Sequence, residues 1–293
     1  MTKKISIILP AKNEARSLKQ LLPKLLEHYP EEEILVVDDG STDDTVSICN
    51  SNGVRVISHP YSMGNGAAIK TGARNANGSV FIFMDADNQH DPSAIASLLK
   101  DISEGFDMAV GARGSKSQAS AGRGLANMFY NWFASKISGH QIRDLTSGLR
   151  AVRAEKFAEF LSMLPNGFSY PTTITMAFLR SGYSVSYVPV TLKKRIGRSH
   201  IKLMRDGIRF LLIIFRIGTL YSPLKLFTPI SAFFFLTGMV HYANTYISEG
   251  RFTNMSALLL ITSVLVFLIG LVAMVLLRYF EKRLGGVTGD VLG

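Results

Sequence analysis

Two carboxylates, Asp85 and Asp87, follow directly on the apolar run Phe81–Met84, and an amide, Gln89, comes two residues later. Side chains of these types donate only oxygen, which suits a hard divalent cation such as Mg2+ or Mn2+. Taken alone they leave two readings open. One is a solvated acidic loop; the other is a metal site that keeps positions for waters or substrate phosphates. His90, Asp91 and Pro92 read as the turn into a helix that starts near Ser93. A second acidic pair, Asp38-Asp39, ends another apolar run in LVVDDGSTDDT. Carboxylates at a strand end can accept hydrogen bonds from a ribose or a nucleobase N–H. Ser41, Thr42 and Asp43 fit a capped turn equally well.

Both clusters need a frame that brings them to one place. Up to about residue 192, short Ile- and Val-rich runs alternate with amphipathic stretches. Ile5–Leu9, Ile34–Val37, Val54–Ile57, Val80–Met84 and Met108–Val110 read as strands. Leu18, Leu21, Leu22, Leu25 and Leu26 share one helical face, with Pro23 counting against an unbroken helix. Gly64 and Gly66 suit a bend before a helix that starts near Ala67, and Gly72 and Ala73 let that helix lie close on the sheet. This alternation predicts a mostly parallel α/β sheet covered by helices on both faces. Ligands of such sheets bind beyond the carboxyl ends of the strands, where Asn13-Glu14, Asp38-Asp39 and Asp85-Ala86-Asp87 fall.

The last third reads differently. Leu226–Ile247 and Ser256–Leu277 are predominantly apolar and carry no Asp, Glu, Lys or Arg. At about 1.5 Å per residue, each can cross a hydrocarbon core of roughly 30 Å. His241 and Asn244 make the first span the less apolar of the two. The short link between them implies a hairpin. Basic residues crowd the flanks, including Lys193, Lys194, Arg195 and Arg198 before it and Arg278, Lys282 and Arg283 after it, whereas the link holds only Arg251 beside Glu249. The positive-inside rule then puts both termini and the N-terminal domain in the cytoplasm, with the hairpin in the cell (inner) membrane as a multi-pass anchor. Arg205, Arg209 and Arg216 share one face of LMRDGIRFLLIIFRI, which predicts a helix lying in the membrane surface. Expected boundaries are 1–200 for the α/β domain, 201–222 for this amphipathic helix, 226–247 and 256–278 for the spans, and 279–293 for a Gly-rich tail without an assigned role.

A formal charge of +10 over 293 residues of which 47% are hydrophobic agrees with this division. Such a balance fits basic residues facing phosphates or anionic lipid, and apolar ones in a bilayer, and no nucleic-acid partner is expected. Cys49, the only cysteine, excludes an intramolecular disulfide and a Cys-cluster metal site. Met1-Thr2-Lys3-Lys4 leads into an apolar run too short for a signal-peptide core, so it is read as the first strand.

Four ordered stretches, IILPAKNEA, VVDDGSTDDT, GNGAAIKTGARNANGSVFIFMDADNQHDP and DLTSGLRAV, together resemble the inverting family-2 glycosyltransferases over roughly residues 5 to 200. The similarity is greatest to the branch with dolichol-phosphate mannose synthase and the bacterial polyprenyl-phosphate glycosyltransferases. It implies a GT-A (Rossmann-like) catalytic domain, a nucleotide-sugar donor and a divalent metal, Mg2+ or Mn2+. It also implies roles for matched residues. Pro10, Ala11, Asn13, Glu14, Asp38, Asp39, Asp85 and Ala86 would line the nucleotide pocket, with Asp39 on the base. Asp87 and Gln89 would be the direct metal ligands and Asp85 a supporting carboxylate. Arg113, Arg123 and Asn127 would receive the acceptor phosphate, and Asp144 would lie near the reacting sugar. Arg195, Ser199 and His200 would close over the diphosphate. Asp87, Asp144 and Arg123 are the residues expected to matter most for catalysis. Two departures stand out: Lys12 replaces an aromatic residue common in the family, and His200 replaces a common lysine.

The implied acceptor is a polyprenyl phosphate of undecaprenyl or dolichyl type. Its second pKa near ~6 makes it mostly dianionic at pH 7, so it attacks without a dedicated general base. That suits a sequence with no Ser-His-Asp arrangement. Another lipid or glycan acceptor, a non-catalytic nucleotide-sugar-binding membrane protein, and self-association into homo-oligomers stay open. A processive polysaccharide synthase would carry Q-x-x-R-W, yet the only tryptophan, Trp132, lies in YNWFA. A sugar nucleotidyltransferase would carry a Gly-rich loop after the first strand, where LPAKNEA has no glycine.

Overall fold

The structure, a computed structural model, describes residues 4–113, 121–167, 169–193 and 222–283, with 212, 215, 218 and 219; for 121–127 and 280–283 it describes the backbone alone. The side chains of Arg123 and Asn127, the segment with Arg195, Ser199 and His200, most of the amphipathic 201–222 stretch and the Gly-rich tail lie outside the described residues.

The five predicted strands form as β1 (Ile5–Ala11), β2 (Glu33–Asp38), β3 (Arg55–Ser58), β4 (Val80–Phe83) and β5 (Met108–Arg113). Two more, β6 (Arg150–Arg153) and β7 (Val185–Val190), complete a seven-stranded sheet of order β3-β2-β1-β4-β6-β5-β7. All pairings are parallel except those of β6, which runs antiparallel to both β4 and β5. The sheet is therefore mixed, with one strand entering at the edge where the other six leave.

Helices cover both faces because the apolar side chains of each strand alternate between them. One face packs on α1 (Ala15–His28), α2 (Thr45–Ser51) and α4 (Ala94–Ser103), through Leu18, Leu21, Leu25, Cys49, Ile95 and Leu98. The other packs on α3 (Asn65–Asn75), α6 (Ala154–Ala158) and α7 (Tyr170–Arg180), through Ile69, Phe157, Tyr170, Ile174 and Phe178. Pro23 does not break α1. It sits on the exposed face, as does Lys19, whose carbonyl loses its helical donor and is left to water. Gly72 brings α3 flush onto the sheet, since a Cβ there would fall 2.3 Å from Ile8 Cγ2.

The described residues form two compact units. The first carries the sheet. The second holds the last residues of α5 (Ala121–Ser138) with a hairpin of α8 (Pro223–Glu249) and α9 (Asn254–Arg283). Both hairpin helices are long and apolar enough to cross a membrane. They are joined by reciprocal hydrogen bonds: Ser231 Oγ donates to the Ser263 carbonyl (2.9 Å) and Ser263 Oγ to the Ser231 carbonyl (3.0 Å). Small residues of this kind let helix backbones approach where no hydrophobic effect drives association. His241 Nδ1 meets Ser256 Oγ at 3.0 Å, so the imidazole that interrupts the first apolar span is satisfied across the pair. Phe233, Leu236, Val240, Val264 and Val272 face outward, exposed.

Candidate active site

The carboxyl ends of β1 and β2 meet first. Ala11 pairs with Asp38, and the loops that follow are laced together. Asn13, in the left-handed region at φ 54, accepts from the Thr42 amide at 2.8 Å, and its own amide donates to Ser41 Oγ at 2.8 Å. Asparagine tolerates that conformation better than most residues. The Glu14 amide donates to Thr45 Oγ1 (3.1 Å), and the Ala15 amide, at the start of α1, donates to Asp43 Oδ2 (3.2 Å). STDDT thus caps a helix in another part of the chain.

Asp38 and Asp39 are both buried. Asp38 Oδ1 accepts from the Ser41 amide (3.0 Å) and closes its own turn. Asp39 accepts from His59 Nδ1 (2.9 Å), Ser62 Oγ (2.7 Å), the Met63 amide (2.7 Å) and the Gly64 amide (2.9 Å). Burial pushes its pKa up, but these bonds outweigh burial and hold it below the usual carboxylate range. All four lone-pair positions of the carboxylate are engaged. Asp39 is a clasp for the loop after β3, a role that its place in the sequence did not reveal.

Beyond β4, Asp87 is buried and its Oδ1 accepts from the Gln89 amide at 3.1 Å. Asn88 between them takes φ 59. Gln89 Nε2 donates to the Lys193 carbonyl (3.4 Å), leaving the amide oxygen, the atom that would bind a cation, outside that bond. The Lys193 amide donates to the Gln89 carbonyl (2.8 Å) and its ammonium pairs with Asp91. The chain after β7 is therefore bracketed to the acidic loop directly before the basic segment. Among the described residues, no three His, Cys, Asp or Glu side chains converge on a cage. The set present, two carboxylates and an amide oxygen on one loop, fits an open site for a hard cation rather than a closed one.

β6 supplies the other side. Phe83 and Val110 both pair with Arg150, so the turn leading into β6 runs between the ends of β4 and β5. At one end of this turn Asp144 takes a forked bond from Arg113, with Nε to Oδ2 at 2.7 Å and Nη2 to Oδ1 at 2.8 Å. Thr146 Oγ1 accepts from the same Nη2. Burial pushes the Asp144 pKa up, yet the hydrogen bonds and charge of Arg113 hold it down. At the other end, Gly148 lies against Asp85; a Cβ on it would fall 2.2 Å from Asp85 Oδ2.

His90 lies in the turn before α4, as its sequence predicts, but it is not a solvated turn residue. His90 is buried, its Nδ1 has no hydrogen-bond partner among the described residues, and Asp87, Arg113 and Asp144 all act on it electrostatically. Burial pulls its pKa down to about 4, against the two carboxylates. The ring is therefore neutral at pH 7, under the charges of the acidic loop and of the arginine–aspartate pair. Gly148 and Arg150 also escaped notice, although both lie in the DLTSGLR stretch that had been singled out for Asp144. Lys12 and Asn13 are exposed at the mouth of the β1 loop, Pro10 is half-buried and Ala11 and Ala86 are buried.

A Rossmann-like mixed sheet with acidic loops at its carboxyl edge is the GT-A architecture. The chain belongs to glycosyl transferase family 2, whose model matches residues 6–161, and a GtrB C-terminal hairpin model matches residues 222–275. It is 30% identical over 209 residues to a polyprenol monophosphomannose synthase of Mycolicibacterium smegmatis, covering 66% of this chain and 79% of that one. It is 35% identical over 219 residues to a dolichol-phosphate mannosyltransferase of Pyrococcus furiosus, covering 68% of this chain and 59% of that one. Glucosyl-3-phosphoglycerate synthase of Mycobacterium tuberculosis, solved with Mn2+, uridine diphosphate and glucosyl-3-phosphoglycerate, superposes with a TM-score of 0.62 at 21% identity, over 74% of this chain and 80% of that one.

Proposed function

We propose that the protein transfers a sugar from a UDP- or GDP-sugar to the phosphate of a membrane polyprenyl phosphate, of undecaprenyl or dolichyl type, with inversion at the anomeric carbon. The observation that carries this reading is the convergence of an oxygen-donor loop and an arginine–aspartate pair on one sheet edge, in a family-2 chain that ends in an apolar hairpin.

The donor nucleotide lies over the β1 and β2 loops, lined by Pro10, Ala11, Asn13, Glu14 and Asp38, with Asp85 and Ala86 at its phosphate end. Asp39 contributes by holding the loop Ser62–Gly64 in place. Asp87 and Gln89, with Asp85 in support, would hold Mg2+ or Mn2+, which when bound neutralises charge on the departing diphosphate. Arg195, Ser199 and His200 follow the Lys193 bracket and close over the diphosphate. Arg123 and Asn127 capture the acceptor phosphate. Arg113 assists from the side of its guanidinium not held by Asp144. A dianionic phosphate oxygen attacks the anomeric carbon as the bond to the donor phosphate breaks, so the nucleoside diphosphate leaves from the opposite face. No side chain needs to take a proton. The hairpin crosses the membrane twice, with the catalytic domain and both termini in the cytoplasm.

The test is transfer by the purified full chain. A panel of labelled UDP- and GDP-sugars is offered with undecaprenyl phosphate, and the product anomer is read by NMR. Label entering the lipid with inverted configuration is expected. Hydrolysis alone, or transfer only to water-soluble acceptors, overturns the reading.

A further inference from the structure

The chemistry above leaves Arg150 unused. Its side chain is among the most completely buried in the protein, at 1% exposure. A guanidinium keeps its charge in proteins, so burial of this kind needs compensation. Among the described residues no carboxylate pairs with it. Its donors go instead to the Ser147 carbonyl (Nε, 2.8 Å), the Leu145 carbonyl (Nη2, 3.4 Å), and Thr175 Oγ1 of α7 and Met108 Sδ (Nη1, 2.6 and 4.0 Å). Thr175 is held in turn, since its hydroxyl donates to the Pro171 carbonyl at 2.8 Å.

Both carbonyls belong to the turn between Asp144 and Leu149. One end of that turn fixes Arg113 through Asp144. The other lies so close on Asp85 that a Cβ at 148 would displace its carboxylate. The turn therefore touches the donor side and the acceptor side, and a single buried cation grips it from beneath. Asp85 and Asp144 are also the two carboxylates whose charges reach Arg150.

We propose that Arg150 is a positioning residue for the transfer: by locking the 144–149 turn it sets Asp85 and the Arg113–Asp144 pair in one fixed relation. The inference rests on the polyprenyl-phosphate reading. Lysine cannot replace this function, because a single ammonium lacks the planar fork that spans two carbonyls and a hydroxyl. Reacting groups misplaced by about 1 Å lose roughly 100-fold in rate even when binding survives.

The test uses the full chain in detergent with four variants, Arg150→Lys, Gly148→Ala, Thr175→Val and Thr175→Ser. Tm, calorimetric binding of UDP and GDP with Mn2+, kcat, and KM for donor and for lipid are measured for each. Arg150→Lys should lose about 100-fold in kcat with each KM within about 3-fold of wild type, and Gly148→Ala should lose about 100-fold in kcat with its lipid KM within the same range. Gly148→Ala, which displaces Asp85, should also weaken Mn2+-dependent nucleotide binding about 10-fold or more. Thr175→Val removes one of the Arg150 hydrogen bonds and should lose about 10-fold in kcat, and Thr175→Ser, which keeps the hydroxyl, should restore it. Wild-type kcat in folded Thr175→Val or Gly148→Ala, or failure of the serine rescue, overturns the proposal. If Arg150→Lys does not fold, those variants decide alone. A wild-type chain that transfers nothing to lipid refutes the functional reading, while the nucleotide-binding comparison still judges the positioning of Asp85.

Discussion

Asp87 and Asp39 are both buried acids at strand ends, and they sit among different neighbours. Asp39 spends its carboxylate on four donors of its own chain. Asp87 is instead placed beside an amide whose oxygen is outside its hydrogen bond to Lys193. Asp87→Ala should therefore lower kcat by at least about 100-fold with Tm little changed, because the loop loses charge neutralisation rather than its core. Wild-type transfer in that variant, or in excess chelator, would count against the metal assignment. Arg123→Ala should raise KM for the lipid by about 10-fold while donor KM moves less than 2-fold; steady-state kinetics with each substrate varied separately reads this. The acidic residues were legible in the sequence because they end apolar runs. The partners of Asp39 were not, because His59, Ser62, Met63 and Gly64 come from beyond the next strand. The burial of His90 was not legible for a similar reason, since Arg113 and Asp144, which act on it, are remote in the chain.

At the level of elements, five strands could be read from short Ile- and Val-rich runs, and β6 and β7 could not. β6 has only Ala151 and Val152 between two arginines, and nothing local records that it runs backwards. β7 carries Pro189 and polar residues, as an edge strand tolerates. The opposite edge of the sheet has its own tie. Glu33, which starts β2, accepts from the Asn77 amide (2.7 Å), Asn77 Nδ2 (2.9 Å) and Arg55 (2.8 Å), and from Ser6. Burial raises its pKa, but these bonds prevail and lower it. A carboxyl with a folded pKa below its unfolded value, near ~4.3, stabilises the fold above that pH. The contribution is lost as pH falls through the folded pKa. Thermal unfolding should thus separate wild type from Glu33→Gln fully at pH 7, and the gap should shrink toward zero below about pH 4. A gap that widens in acid would contradict the network. The exposed Met128, Phe129 and Trp132 on α5 are a further apolar face outside both sheet cores.

At the scale of the whole molecule, the apolar hairpin was the most legible feature, because length and composition alone mark it. Its internal polar pairs, Ser231 with Ser263 and His241 with Ser256, were not legible, because they depend on the register of one helix against the other. The proposed orientation can be tested without removing any native thiol. Cys49 is buried and its pKa is pushed up to about 11, by burial and then by Asp38, so it is unreactive at neutral pH. In intact cells, a membrane-impermeant maleimide should label Ser248→Cys but not Glu27→Cys, and lysis should expose the second. The opposite pattern would invert the topology.

The reversed strand also dictates an order of assembly. β5 is made before β6, but its sheet neighbours are β6 and β7, so it has nothing to join until Arg150–Arg153 emerge. The four strands that present Asp38 and Asp85 can dock first, as a parallel unit whose outer edge is β4. That edge, Val80–Phe83, is apolar on both faces and bare until β6 covers it. Chains that stop short of residue 150 should accumulate in the insoluble fraction. During synthesis the strands that carry Asp38 and Asp85 come first, and the strand that seals the edge follows.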